Sequence, residues 1–178
     1  MRVLEREVED LEELGREVEN KEEIPSEYHI AVESLLFDRD LNWILMKRGP
    51  GCRDEIGKLE GVGGQVEGNE NFKEALRREI SEEVGDKADI EVLNFFEVRR
   101  DIPNSKEDKE EFWLVVSFLC LLRSGDLKIK EPEKNKGFHH VNVHEIDSEK
   151  LSSSASSALR SIREEWPEIK SKLRSHMS

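Results

Sequence analysis

The sequence predicts an α/β chain in which a mixed sheet carries helices on both faces. Three observations predict it. Strand-like apolar runs occur at residues 28–37, 43–47, 90–98 and 112–122; a helix with an apolar residue at every fourth position interrupts them; and an amphipathic segment lies near the C-terminus.

The elements follow in order. Residues 1–25 are rich in Glu and place Leu4, Val8, Leu11, Leu14 and Val18 at helical spacing, with Gly15 weakening the helix and Pro25 ending it. Fewer than three clean heptads are present, which favours a helix lying on the domain over a dimerisation arm; a homodimer is the alternative. The runs at 28–37 and 43–47 are joined by a polar turn at Asp38-Arg39-Asp40. Asn71 with Glu74 resembles a capping box, Phe72, Leu76, Ile80 and Val84 form an apolar stripe, and Gly85 supplies the stop. After a strand at 90–98 and a polar loop at 102–109 comes Phe112 to Leu122, a buried strand too short to span a bilayer. Leu159, Ile162, Trp166, Ile169 and Leu173 mark an amphipathic closing helix that Pro167 kinks or restarts. The predicted organisation is an acidic N-terminal extension over 1–25, a domain over 26–148, and a C-terminal helix over 149–178 packing on that domain.

Composition narrows the function. A chain of 178 residues suits one cored domain with appendages. A net charge of -13 argues against a nucleic-acid polymer as partner, because such polymers select basic faces. A small phosphorylated substrate remains compatible if a metal and a few local Lys or Arg supply positive charge. Cys52 and Cys120 are too few for a disulfide framework. The Met1 end is acidic and unlike a signal peptide, so a soluble cytoplasmic protein with no membrane partner is expected.

The chemistry concentrates behind Gly63-Gly64. Plotted at about 100° per residue, Glu79, Glu82 and Glu83 fall in a sector roughly 100° wide that overlaps the apolar edge of the helix. With 41 acidic residues in the chain, a run of Glu is usually a solvated face. Here the acids meet the apolar edge just after a double glycine, which lets backbone approach a ligand closely. Half-buried carboxylates without a partner are costly or stay protonated. Mg²⁺ or Mn²⁺ removes that cost, because hard cations prefer oxygen ligands. Arg78, one turn before Glu82, is placed to orient it.

These residues spell a known pattern. Gly64, Glu70, Arg78, Glu79, Ile80, Glu82, Glu83 and Gly85 occupy every fixed position of the Nudix box, and Asp86 stands at its last apolar position. The chain from 27 to 146 is therefore identified as resembling the Nudix family, whose fold is an α/β/α sandwich with a central mixed sheet. The resemblance implies a metal-dependent pyrophosphohydrolase acting on a nucleoside diphosphate linked to another group. Glu79, Glu82 and Glu83 become the expected metal ligands, with the Gly63 carbonyl as a further candidate. Glu79 is the first choice for the base that takes the water's proton, Glu133 is the loop alternative, and Glu70 is a supporting residue. Glu131-Pro132-Glu133-Lys134 through Val141 is similar to a late segment of the nucleoside-triphosphate-cleaving members, with Phe138 and His140 at its two tryptophan positions. That similarity tilts the substrate towards a nucleoside triphosphate. Arg48, Arg53, Phe138 and His140 are the substrate-binding candidates. ADP-ribose or nucleotide-sugar cleavage, a non-catalytic nucleotide sensor, and isoprenoid diphosphate isomerisation are the competing readings. The sensor is disfavoured because the box acids are all kept, and the isomerase because neither cysteine context resembles its site.

Overall fold

The computed structural model describes residues 28–101 and 112–177. The predicted N-terminal helix at 1–25 and the polar loop at 102–109 lie outside the described residues. Among the described residues seven strands make one mixed sheet: β1 (Tyr28–Phe37), β2 (Trp43–Arg48), β3 (Leu59–Glu60), β4 (Val62–Gln65), β5 (Asp89–Asp101), β6 (Phe112–Ser124) and β7 (Asn135–Val141). Three α-helices among the described residues join them: α1 (Phe72–Val84), α2 (Ser153–Glu164) and α3 (Trp166–Ser175).

β1 is the organising strand. One of its edges pairs in parallel with β6 along its whole length, from Tyr28↔Phe112 to Phe37↔Leu121. The other edge is divided. β4 pairs antiparallel with residues 31–34, whereas β2 meets β1 only at Phe37↔Trp43 and then leaves it to pair with β3 and β7. The wedge between β2 and β4 is where the cleft described below opens. β3 and β4, absent from the sequence expectation, are short, β4 carries two glycines, and only their partners make them strands.

Strand alternation sorts the apolar residues into two layers. Val32, Leu36, Ile44, Met46, Val116, Phe118 and Cys120 face α1 and meet its Phe72, Leu76, Ile80 and Val84. Leu35, Phe37, Trp43, Leu45, Leu119 and Leu121 face the other way, onto Ala155, Leu159 and Ile162 of α2 and Ile169 and Leu173 of α3. The sheet is thus covered on both faces, as expected. The closing helix is two helices. Ser152 caps the first, its Oγ accepting from Ala155 N at 3.1 Å, and Pro167 sits in the first turn of the second, where its missing N–H costs nothing. No helix among the described residues is long and apolar enough to cross a membrane.

Candidate functional site

α1 begins as its sequence requires. Asn71 Oδ1 accepts from Glu74 N at 3.0 Å, and Asn71 N donates to Glu74 Oε2 at 2.9 Å, closing a capping box. Burial of Phe72, Ala75, Leu76, Ile80 and Val84 then fixes the helix rotation. That rotation leaves Glu79 and Glu83 half-buried beside β4, while Glu82 reaches solvent with 54% of its side chain exposed.

Arg78 ties the acids together. Its Nε and Nη2 donate to Glu70 at 3.1 and 2.6 Å, Nη2 also reaches the Gln65 carbonyl at 2.8 Å, and Nη1 reaches Glu79 at 2.7 Å and Glu82 at 3.2 Å. Glu70 is held in turn by the Glu67 amide at 2.7 Å. Hydrogen bonding to Glu70, opposed by burial and reinforced by Glu79, raises the Arg78 pKa and keeps it charged. Glu83 turns to the backbone, its Oε2 accepting from Gly63 N–H at 2.9 Å. Burial pushes its carboxyl up to about 8, and the charges of Glu79 and Glu131 push the same way against the Gly63 bond and Lys134. Burial raises Glu79 too, against the hydrogen bond from Arg78.

The expected three-carboxylate cage is not assembled: among the described residues no three His, Cys, Asp or Glu side chains converge as a ready metal site. Arg78 Nη1 stands between Glu79 and Glu82, and Glu83 faces the Gly63 amide. The donors nevertheless fit a hard cation. Burial makes two carboxylates here resist ionisation, a cost that a cation would offset, and the cradle is built by glycine. A Cβ on Gly64 would fall inside the Glu79 carboxylate, and one on Gly63 would strike the Val32 carbonyl.

Two cavities adjoin here. The first, about 380 Å³, lies on the α1 face and is lined by Glu79, Glu82, Glu83, Arg78, Glu131 and Lys134. The second, about 280 Å³, lies on the α2 face between Ala31, Glu33, Trp113, Val115 and Ser154. Gly61, Gly63, Gly64, Gln65, Arg48 and Arg53 line both, so the cavities meet around β4. Arg48 is fixed there by Asp54 at 2.7 Å and by an ion pair with Glu60, and Arg53 is 55% exposed.

The remaining sequence candidates fall elsewhere. Glu133 is exposed and meets the loop through its backbone carbonyl, which accepts from Gly51 N at 2.8 Å. Glu131 and Lys134 line the cleft in its place, joined at 3.0 Å. A turn closed by Lys134 N and Asn135 N on the Glu131 carbonyl puts residues 131 and 134 on one side. Phe138 packs against the α1-side core, and His140 pairs with Asp38 at 2.6 Å; neither lines the two cavities. Sequence reasoning missed Glu131, Lys134, Glu33 and Arg99. The i,i+3 spacing of the first pair, and a lone acid within Ala31-Val32-Glu33-Ser34-Leu35, were the available signals.

A covered mixed sheet carries an Arg-tethered acid cluster beside a double glycine, and the family match that goes with it makes the chain a hydrolase of phosphate anhydrides. The chain belongs to the Nudix family, whose NUDIX domain model matches residues 27–162. Among solved structures it is similar to a MutT NUDIX hydrolase from Burkholderia pseudomallei, at 23% identity and a TM-score of 0.63, covering 76% of this chain and 98% of that one. It is similar also to a MutT protein from Methanosarcina mazei Go1, at 23% identity and a TM-score of 0.56, covering 77% and 94%. The Escherichia coli ORF135 protein follows at 19% identity and a TM-score of 0.60, covering 78% and 90%. These likenesses are of fold. No protein of curated function matches the chain.

Proposed function

We propose that this chain is a Mg²⁺- or Mn²⁺-dependent pyrophosphohydrolase of nucleoside triphosphates, releasing a nucleoside monophosphate and pyrophosphate. The observation that carries this reading is the junction of the two cavities around Gly61–Gln65. An acid-lined cleft suited to a metal–phosphate chain opens beside a mixed cavity, in which Ala31, Val32, Val115 and Trp113 offer an apolar face among polar side chains, suited to a nucleoside.

Glu79, Glu82 and Glu83 are the residues that would hold the cation. Bound there, it would supply charge neutralisation on the phosphate oxygens and polarise a water for attack. The protein's own groups do the rest. Arg78 holds Glu79 and Glu82 in orientation and draws Glu70 in behind them. Glu79 Oε1 is occupied by Arg78, leaving Oε2 to accept a proton from the attacking water. Lys134, Arg48 and Arg53 offset the anionic charge of the phosphates. The phosphorus–oxygen bond of the anhydride breaks as the bond to water forms, and pyrophosphate leaves with its charge shared by these cations.

The test is a panel of nucleoside triphosphates, ADP-ribose, dinucleoside polyphosphates and nucleotide sugars, each with Mg²⁺ and Mn²⁺, with products identified. Nucleoside monophosphate plus pyrophosphate from a triphosphate is the expected result. Turnover confined to ADP-ribose or nucleotide sugars, or undiminished in chelator, would reject it.

A further inference from the structure

The cavity on the α2 face holds a charged group that the phosphate chemistry does not use. Glu33 lies midway along β1 with only 5% of its surface exposed. A carboxylate buried that far must have its charge offset and its lone pairs answered. One oxygen has both. Oε2 accepts from Arg99 Nη2 at 2.7 Å and from Ser117 Oγ at 3.0 Å. Arg99 is itself pinned, reaching Ser117 Oγ at 2.8 Å, Ser154 Oγ at 2.7 Å and Glu97 at 3.2 Å. This arrangement locks the plane of the Glu33 carboxylate.

The other oxygen is different. Oε1 has no hydrogen-bond partner among the described residues, and it lies against Gly61, where an added Cβ would come within 2.7 Å of it. Glu33 and Gly61 both line the cavity. The site therefore presents an oriented acceptor that opens onto the cavity and takes no donor from the described residues. Arg99 already offsets the carboxylate charge, so a neutral N–H suits the place better than a second cation. Within a lining that is otherwise largely polar, Ala31, Val115 and Trp113 supply an apolar face that can take a flat ring.

We propose that Glu33 selects the base of the substrate: its Oε1 accepts a hydrogen bond from an amino group on the nucleobase seated between β1, β6 and the start of α2. The assignment rests on the reading of the chain as a nucleoside triphosphate hydrolase. It makes a sharp prediction for Glu33→Gln. Arg99 and Ser117 both donate to Oε2, so a glutamine turns its carbonyl to them and its NH₂ to the cavity. The acceptor becomes a donor, with shape unchanged.

The experiment measures kcat/KM with Mg²⁺ for CTP, UTP, ATP, GTP and ITP, on the full chain and on Glu33→Gln. In the parent, at least one amino-bearing base is expected to be preferred over the partner lacking that amine (CTP over UTP, ATP over ITP, or GTP over ITP) by about tenfold or more, because an unanswered acceptor rejects the analogue. In Glu33→Gln that preference collapses or inverts. Gly61→Ala, which crowds Oε1 while leaving the Arg99 pair in place, should erase the same preference and serves if the first variant does not fold. A parent without discrimination, or a Glu33→Gln variant that lowers every triphosphate by the same factor, overturns the assignment alone. Absence of turnover on every triphosphate overturns the substrate reading and this assignment with it.

Discussion

Glu83 rests on the Gly63 amide at 2.9 Å with its carboxyl pushed up to about 8, burial outweighing the hydrogen bond that favours the ionised form. A folded-state value above the ordinary 4.5 means that the native chain holds this proton more tightly than the unfolded one. The associated stability is complete below the ordinary value and is lost as pH rises towards the folded-state value. Without divalent metal, the melting temperature should therefore fall between about pH 5 and pH 8, and Glu83→Gln should flatten the slope. Thermal scans across that range check it; a slope unchanged in the variant would put the pH dependence elsewhere. Glu79 is shifted the same way, so adding Mg²⁺ at neutral pH should release protons in a weakly buffered titration. The cost to catalysis is separate. Glu83→Gln should lower Mg²⁺-dependent kcat at least about 100-fold while circular dichroism stays native, because lost charge stabilisation of several kcal/mol acts on the reaction alone. Gly64→Ala should mimic that loss by pushing the Glu79 carboxylate aside.

At the scale of elements, α1 was legible because its signals are local: a cap, a stripe and a stop within fifteen residues of chain. Asn71→Ala should accordingly lower stability by about 1 kcal/mol, read from denaturant midpoints, and leave the Glu79–Glu83 geometry to be judged by residual activity. Other elements were hidden for physical reasons. The first turns of α2 pack through Ala155 and Ala158, so no large apolar residue marks them and only Leu159 onward shows a stripe. β3 and β4 carry no strand signal in Leu59-Glu60 and Val62-Gly63-Gly64-Gln65; pairing with β2 and β1 makes them. The same non-local dependence explains the site. Helical angle brought Glu79, Glu82 and Glu83 to one sector, but it could not show Arg78 between them or Glu83 turned to a strand amide. A turn around the Glu131 carbonyl selected Glu131 over Glu133, and strand parity sent Phe138 into the core.

For the molecule as a whole, a net charge of -13 faces a polyanionic substrate. Arg48, Arg53, Arg78 and Lys134 line the cleft together with Glu60, Glu67, Glu79, Glu82, Glu83 and Glu131. A divalent cation bound there would bring the cleft close to neutral, whereas the remaining acids, spread over the chain, make the far field negative. At about 0.01 M salt the Debye length is about 30 Å, comparable with the molecule, and the approaching nucleotide feels the whole negative charge. At about 0.15 M it is about 8 Å, which screens the distant acids and spares the cations at the cleft. Moderate salt should therefore raise kcat/KM by a few fold at constant free Mg²⁺ and leave kcat nearly unchanged, since encounter and not chemistry is affected. Initial rates on a triphosphate across that salt range decide it. A steady fall in kcat/KM would mean that the local basic groups dominate the encounter, and that the chain's acidity has no part in how its substrate arrives.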